Sequence, residues 1–260
     1  MDVRGKIVVV TGAAQGIGRA LCERFHAEGA AKVIAADLNA EGAADVAASV
    51  GGLAFSCDVS QGDEVAQMVD RVQTDIGPID LYCSNAGILD KDPDFDNAAS
   101  APDESWARSW AVNVMGHVHA ARAVLPSMRA RREGYFLATV SAAGLLSQIG
   151  SATYSTTKHA ALGFCEHLAI AHRDDGIRVS ALCPQGVDTA MARGADARTP
   201  ALLDGLLSPQ TVAEAVVQGL AAERFLILPH PQVAQYMRNK AENYDRWLGG
   251  MIKLRRASRG

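Results

Sequence analysis

The chain has 260 residues, of which 48% are hydrophobic and 21% charged, and its net charge is −4. The length suits one large domain or two small ones, and the composition suits a packed core with an ordinary polar surface. The charge is weakly negative, and we expect neither a signal-like N-terminus nor a long apolar run in this sequence. On these grounds we expect no nucleic-acid or membrane partner.

Short apolar runs alternate with longer segments of helical periodicity along most of the chain. The candidate strands are residues 7–10, 32–36, 53–57, 80–83, 135–140, 178–183 and 225–228, and the clearest helical segments are 17–27, 65–76 and 160–172. Gly29 and Gly77 follow two helical segments at typical C-cap positions. The alternation predicts a single α/β domain in which helices cover both faces of a doubly wound parallel sheet.

Two regions depart from the alternation. Residues 90–102 are rich in Asp, Asn and Pro, which predicts a loop. Residues 186–208 are poor in strand formers, and a long loop of this kind is typical of a substrate lid. In the tail, residues 229–260, we expect a helix that packs on a neighbouring subunit or over the substrate cleft.

The five cysteines are scattered, odd in number and never spaced like metal ligands. We therefore expect no metal site and interpret the cysteines as small buried hydrophobes in a reducing, cytoplasmic compartment.

A glycine-rich turn, residues 11–18, follows the first strand directly and opens the first helix. Gly12, Gly16 and Gly18 allow a tight turn, close approach of the backbone to a pyrophosphate, and close packing of helix on strand. The helix start presents free N–H groups to the phosphates. A glycine cluster alone is weak support, but its place between strand and helix predicts a dinucleotide site.

Asp37 closes the second strand, nineteen residues after Gly18. A carboxylate there accepts hydrogen bonds from the adenosine ribose and repels a 2′-phosphate, and neither Leu38 nor the glycine turn supplies a cation. These features favour NAD over NADP. The alternative is an ordinary strand-end Asp that caps the next helix.

Tyr154 and Lys158 are four residues apart, which places them on one face of a helix. A neighbouring ammonium stabilises a phenolate and lowers the tyrosine pKa towards working pH. By itself the pair also fits a surface helix. Ser141 follows the fifth strand, where its hydroxyl can polarise a carbonyl, and Asn113 can hold a water or bond the backbone near Lys158. Their alternatives are a capping serine and a structural asparagine.

Together these residues closely resemble the compact branch of the short-chain dehydrogenase/reductase family over residues 5–228. The resemblance implies a Rossmann-type sheet of seven strands and a catalytic tetrad. In that tetrad Tyr154 transfers the proton, Ser141 steadies the substrate oxygen, Lys158 tunes Tyr154 and grips the nicotinamide ribose, and Asn113 supports a water relay. It also implies a homotetramer, or failing that a dimer, with residues 225–228 and the tail at the interface.

The NAD-binding residues that the turn, the strand ends and the resemblance predict form one set. They are Gly12, Gln15, Gly16, Ile17, Gly18, Asp37, Leu38, Asp58, Val59, Asn85, Ala86, Gly87, Tyr154, Lys158, Pro184, Val187 and Thr189. One departure from the family pattern stands among them, because Gln185 occupies the usual glycine position after Pro184. That puts the local backbone path in doubt and can bring the Gln185 side chain into the active site.

The predicted substrate-binding residues are Ser141, Leu145, Gln148, Tyr154, Gln185 and Met191. Further leucines in the lid, 202, 203, 206 and 207, make this pocket apolar. We expect a hydrophobic secondary alcohol or ketone, such as a steroid, a cyclic or aryl carbinol, or a 3-hydroxyacyl derivative. Alternatively the leucines only pack the lid, and Arg193 and Arg198 serve a polar or anionic carbonyl substrate.

Two rival functions are a nucleotide-sugar epimerase or dehydratase and a catalytically silent NAD-binding regulator or scaffold. The first has a different glycine spacing and a longer C-terminal domain. The second typically lacks the tyrosine or the lysine, and this chain has both.

Overall fold

Seven parallel strands form one sheet in the part of the chain that the computed structural model describes, residues 1–192 and 204–259. They are β1 (Ile7–Thr11), β2 (Lys32–Asp37), β3 (Leu53–Ser56), β4 (Leu81–Ser84), β5 (Gly134–Thr139), β6 (Ile177–Leu182) and β7 (Leu226–Ile227). Their order across the sheet is β3-β2-β1-β4-β5-β6-β7. The doubly wound sheet expected from the sequence is confirmed, with strand ends shifted by at most one residue.

Two layers of helices cover the sheet. The helices are α1 (Gly16–Ala27), α2 (Ala40–Ser49), α3 (Gly62–Asp75), α4 (Asp103–Trp110), α5 (Gly116–Arg131), α6 (Ala152–His172), α7 (Pro209–Ala221), α8 (Gln232–Glu242) and α9 (Tyr244–Ala257). Apolar residues of α1, α2 and α7 pack on one face of the sheet, and those of α3, α5 and α6 pack on the other.

Alternate side chains of a central strand enter the two layers. Phe136 of β5 joins the core beneath α3, α5 and α6, whereas its neighbours Tyr135 and Leu137 join the core beneath α1, α2 and α7. A strand buried on both faces has no polar face, which explains why the sequence shows continuous apolar runs. Each layer therefore has its own hydrophobic core.

The tail contains two helices where the sequence suggested one. The chain bends at Asn243, whose side chain accepts a hydrogen bond from the Arg246 N–H and caps α9. Lys240 of α8 donates to the carbonyl oxygens of Leu145 and Leu146 at 3.0 and 2.9 Å. These bonds hold the tail over the carboxyl edge of the sheet.

A second anchor joins α9 to the loop that precedes α4. Arg255 donates to the Phe95 carbonyl oxygen at 2.8 Å and lies 4.9 Å from the centre of the Phe95 ring. Arg255 and Arg259 both pair with the Asp96 carboxylate. The loop and the tail thus form one roof.

All five cysteines are buried and unpaired. Burial raises the thiol pKa to about 11 at Cys57 and about 12 at Cys22, Cys165 and Cys183. These thiols therefore act as small core residues, as the sequence suggested. Within the described ranges, no helix combines the length and the apolarity that crossing a bilayer requires.

The turn before β6 gives a test of the fold. Gly176 has φ of +82°, and a Cβ there would lie 1.9 Å from the carbonyl oxygen of Arg132. We expect Gly176→Ala to lower the free energy of unfolding by about 2 kcal/mol or more, because the backbone must move and alanine disfavours this conformation. Urea unfolding measures the change.

The matched control is Gly249→Ala in α9, where a new Cβ meets open space. Alanine favours a helix over glycine by about 1 kcal/mol, so this variant should be as stable as the parent or more stable. Equal losses in both variants would contradict the steric argument.

Candidate active site

A cavity of about 1290 Å³ opens at the carboxyl ends of the strands, where the strand order reverses between β1 and β4. Ligands of open α/β sheets bind at this point because loops leave the sheet in opposite directions there. Its floor consists of strand ends, and its roof consists of α8, α9 and the loop before α4. The cavity therefore has room for a dinucleotide and a second molecule.

The glycine turn forms one end of the cavity. Gly12, Gln15, Gly16 and Ile17 line the wall. Gly18 does not, since a Cβ there would lie 2.0 Å from the Gly12 carbonyl oxygen. Gly18 therefore serves close packing against the Gly12 backbone, whereas Gly12, Gln15, Gly16 and Ile17 face the cavity.

The turn is also packed against its neighbours. A Cβ on Gly12 would lie 2.8 Å from the Cα of Ala86, and a Cβ on Gly16 would lie 3.0 Å from the Thr189 side chain. Both positions have positive φ. The contacts pack the turn against the segments that follow β4 and β6, which leaves a cradle of the kind that binds a pyrophosphate.

Asp37 lines the cavity and also bonds the backbone. Its carboxylate accepts from the N–H groups of Ala14 and Asn39, each at 2.9 Å. Asn39 caps α2 with its own side chain. Asp37 therefore has a structural role, because its carboxylate bonds the backbone near the start of α2. Each carboxylate oxygen still has a second lone pair that can accept from a ribose hydroxyl.

The surroundings of Asp37 contain no cation among the described residues. Lysines and arginines of the described cavity wall are Lys91, Lys158 and Arg246, and none comes from the glycine turn or from β2. Leu38 is 72% exposed beside the carboxylate. Such a wall favours a ribose with free hydroxyls over a 2′-phosphate.

Hydrogen bonds that the sequence did not reveal join three strand ends. The Thr11 hydroxyl accepts from the N–H groups of Asn85 and Ala86, at 3.0 and 3.2 Å. The Asn85 amide donates to the Thr11 carbonyl oxygen, and the Thr139 hydroxyl donates to the amide oxygen of Asn85 at 2.9 Å. In the sequence, only the presence of polar residues at the strand ends indicated this network.

The other predicted cofactor residues also face this space. Leu38, Asp58, Val59, Asn85, Ala86, Gly87, Tyr154, Lys158, Pro184, Val187 and Thr189 all line the cavity.

Tyr154 lies in the first turn of α6, where the Ser151 hydroxyl accepts from its N–H. Burial raises the pKa of the Tyr154 phenol, and a hydrogen bond with Ser141 opposes the rise. The Ser141 hydroxyl also accepts from the Ala143 N–H at 3.0 Å and donates to the Pro184 carbonyl oxygen at 3.5 Å. The hydroxyl groups of Tyr154 and Ser141 are therefore close to each other on the wall of the cavity.

Lys158 is one helical turn further along α6 and is buried. Its ammonium donates to the Thr139 carbonyl oxygen at 3.0 Å and lies 5.5 Å from the centre of the Tyr154 ring. Burial lowers the pKa of Lys158 to about 8. Ser141 is the group that opposes the effect of burial on the Tyr154 pKa, and a role of Lys158 in lowering that pKa stays a prediction.

Asn113 is fully buried in a π-helical turn, Ala111–Met115, between α4 and α5. Its side-chain amide pairs with both backbone groups of Ile88 at 2.9 Å and donates to the Thr157 hydroxyl at 3.2 Å. Asn113 therefore makes the structural hydrogen bonds that the alternative interpretation predicted, and its side chain does not line the cavity. π-turns often occur at functional sites.

Gly87 separates Asn113 from Lys158. A Cβ at this position would lie 3.3 Å from both the Asn113 amide oxygen and the Lys158 ammonium. The glycine therefore lets the strand end approach both polar groups closely.

On the substrate side, Gln148, Gln185 and Met191 line the cavity with Ser141 and Tyr154. Leu145 does not, because it packs in the core beneath α3, α5 and α6. The apolar wall instead consists of Phe95, Val112, Leu146, Ile149, Trp247, Met251 and Leu254. For the wall residues that belong to the tail, Trp247, Met251 and Leu254, the only indication in the sequence was the aromatic content of the tail.

Gln185 follows an ordinary backbone path. The non-glycine residues with positive φ among the described residues are Arg132, Ser141 and Glu223. The Gln185 N–H donates to His230 Nδ1 at 3.2 Å. Of the expected lid, residues 193–203, which include Arg193, Arg198, Leu202 and Leu203, lie outside the described residues.

Comparison with known proteins adds an independent observation. The profile of the family described as short chain dehydrogenase matches residues 6–199. Epidermal retinol dehydrogenase 2 of Mus musculus is 32% identical over 237 residues, which cover 88% of this chain and 75% of the relative. The 1-deoxy-11-beta-hydroxypentalenate dehydrogenase of Streptomyces exfoliatus is 33% identical over 249 residues, with 94% and 90% covered.

A solved structure shows the same fold. The crystal structure of a short chain dehydrogenase/reductase from Burkholderia phymatum in complex with NAD aligns with a TM-score of 0.82 at 28% identity. The alignment covers 94% of this chain and 96% of that chain.

Burial of Lys158 leads to a stability prediction. We expect Lys158→Met to raise the free energy of unfolding by about 1–3 kcal/mol at pH 7, because it removes a buried ammonium, although it leaves the Thr139 carbonyl oxygen without its donor. Chemical unfolding measures the change, and Lys253→Met, at an exposed position, is the control.

The gain should depend on pH. Below about pH 8, Lys158 is charged in the folded and unfolded states, so the cost of burial is present in full. Between about 8 and 10.5 the folded state loses its proton first, so the parent gains stability as the pH rises. The difference between parent and Lys158→Met should shrink over this range. A gain that is constant with pH would contradict the assignment.

Proposed function

Because this chain belongs to the short-chain dehydrogenase/reductase family, we propose that it is an NAD(H)-dependent oxidoreductase acting on a secondary alcohol or its ketone. The observation that carries the proposal is the position of Tyr154 and Ser141 in the same cavity as Asp37 and the glycine turn. Bound NAD supplies the carbon that accepts or donates the hydride.

The residues present fit NAD. Backbone N–H groups of the turn before α1 meet a pyrophosphate, and Asp37 meets the adenosine ribose. At the other end, the Lys158 ammonium spends one donor on Thr139 and keeps two for ribose hydroxyls. Cytoplasmic location is part of the proposal and is supported by five reduced, buried cysteines.

The chemistry follows from the two hydroxyl groups. Ser141 donates to the substrate oxygen and holds it against Tyr154. Tyr154 gives its proton to that oxygen during ketone reduction and receives it during alcohol oxidation. Since burial raises the pKa of Tyr154, the phenol carries its proton at neutral pH and is ready for reduction, whereas oxidation gains from alkaline pH.

The apolar wall supports a hydrophobic substrate. Phe95, Leu146 and Ile149 approach from the body of the protein, and Trp247 and Met251 approach from the roof. Relatives named for retinol and for a hydroxypentalenate support the same class. Arg246 and Lys91 also line the cavity, which keeps an anionic carbonyl compound as the second candidate. A panel of hydrophobic and anionic alcohols with NAD separates the two.

A homotetramer, or failing that a dimer, stays a prediction. It is supported by the edge position of β7 and by the exposed apolar residues Tyr244, Leu248 and Ile252 of α9. Sedimentation analysis measures the state in solution.

Replacement of the phenol tests the reaction. We expect Tyr154→Phe to bind NADH as the parent does and to lose turnover by about 10²-fold or more, because the ring stays and the proton donor is removed. Fluorescence titration measures NADH binding, and steady-state assay measures turnover. Turnover at the parent level would rule out the assigned role of Tyr154, whereas a parent that binds NADH without any turnover would favour a silent NAD-binding protein.

Removal of the Asp37 charge tests the cofactor. We expect the parent to prefer NAD and Asp37→Asn to reduce that preference by about tenfold, because the repulsion of a 2′-phosphate is lost while one acceptor oxygen remains. The readout is the ratio of kcat/KM for NAD to that for NADP. Equal use of both by the parent would defeat the claim. Asp45→Asn, an exposed change of the same charge on α2, is the control.

A further inference from the structure

One wall of the cavity is more polar than an apolar alcohol requires. Gln185, Asp204 and Tyr236 line this wall. The amide oxygen of Gln185 and one carboxylate oxygen of Asp204 are buried and have no hydrogen-bond partner among the described residues. Buried acceptors without a donor cost free energy, so a donor from a ligand stabilises them.

Backbone pairing brings together the two segments that carry the acceptors. Val187 and Leu207 form a parallel bridge, in which the Leu207 N–H donates to the Gly186 carbonyl oxygen at 3.1 Å. Neighbouring strands are about 4.8 Å apart, so the two segments lie against each other along one wall of the cavity, which Gln185 and Asp204 both line.

Neighbouring side chains hold the acceptors in place. The Tyr236 hydroxyl donates to the other oxygen of Asp204 at 3.1 Å, which leaves Oδ2 for a ligand. The Gln185 N–H donates to His230 Nδ1, so the ring of His230 orients the Gln185 backbone. Since Nδ1 accepts, the ring proton is on Nε2, and His230 adds no charge.

The wall is close to the reacting group. Gln185 follows Pro184, whose carbonyl oxygen accepts from Ser141. Consecutive Cα atoms are about 3.8 Å apart, so the acceptors belong to the part of the cavity that the reacting end of the substrate occupies.

We propose that Gln185 and Asp204 form a subsite for a second hydroxyl of the substrate, so that the preferred substrate is a diol on an otherwise apolar skeleton. The inference rests on the proposed function, and it names the substrate class. The two acceptors share the hydroxyl proton, and the carboxylate makes the stronger bond.

The test compares 1-tetralol with tetralin-1,2-, 1,3- and 1,4-diol, which differ only in the second hydroxyl. We expect the parent to favour at least one diol by about tenfold in kcat/KM with NAD. Gln185→Met and Asp204→Asn should each remove most of that preference, measured as the ratio of kcat/KM for the diol to that for 1-tetralol, because each takes away an acceptor of the second hydroxyl. Both variants replace an acceptor by a group of similar size.

Glu242→Gln is the matched control, since it removes a carboxylate from the wall of the same cavity at an exposed position. It should leave the diol preference unchanged. A parent that oxidises 1-tetralol and the diols equally, or a preference that survives both substitutions, overturns the subsite and leaves the proposed function standing. A parent that oxidises neither the diols nor 1-tetralol overturns both.

Discussion

Burial of the Lys158 ammonium is the constraint around which the site is organised. An ammonium without water is costly unless it is hydrogen-bonded, and burial here lowers its pKa to about 8. The Thr139 carbonyl oxygen offsets part of that cost. Thr139 also donates to Asn85, and Asn85 is tied to Thr11. One path of hydrogen bonds thus runs from the lysine to the start of the glycine turn, across the adjacent strands β5, β4 and β1.

That path connects the cofactor cradle through the sheet edge to the lysine beside the proton donor. Strand spacing is set by backbone hydrogen bonds, so residues on neighbouring strand ends hold their distances however the helices move. Gly87 and Asn113 complete the arrangement from the opposite side, since the glycine leaves room and the asparagine grips the chain at Ile88. The rigid sheet edge carries the chemistry, and the helices and loops above it carry the roof.

The sequence predicts what local rules control. Strands and helices follow from periodicity, the turn follows from its glycines, and Tyr154 and Lys158 follow from helical spacing. The wall of the cavity does not follow in this way. Leu145 and Leu146 are adjacent and chemically alike, yet the 3-10 turn at Ala142–Gly144 sends one into the core and the other into the cavity.

The roof is equally hidden from local rules. It depends on the pairing of Asp96 with Arg255, which are 159 residues apart in the chain, and no short-range pattern indicates which charged residues of a long sequence meet across such a separation.

The same roof connects stability with specificity. Apolar residues of α9 line the cavity. Hydrogen bonds in apolar surroundings are stronger than in water, and leaving them unmade costs more. An apolar roof alone discriminates poorly between substrates that differ by one hydroxyl, because a hydrophobic pocket only weakly rejects an added polar group. Acceptors fixed in the wall, such as Gln185 and Asp204, reverse that weakness, because an analogue without the hydroxyl leaves them unpaired. Specificity in this cavity therefore depends on a few polar atoms, and the apolar surface around them sets how much each is worth.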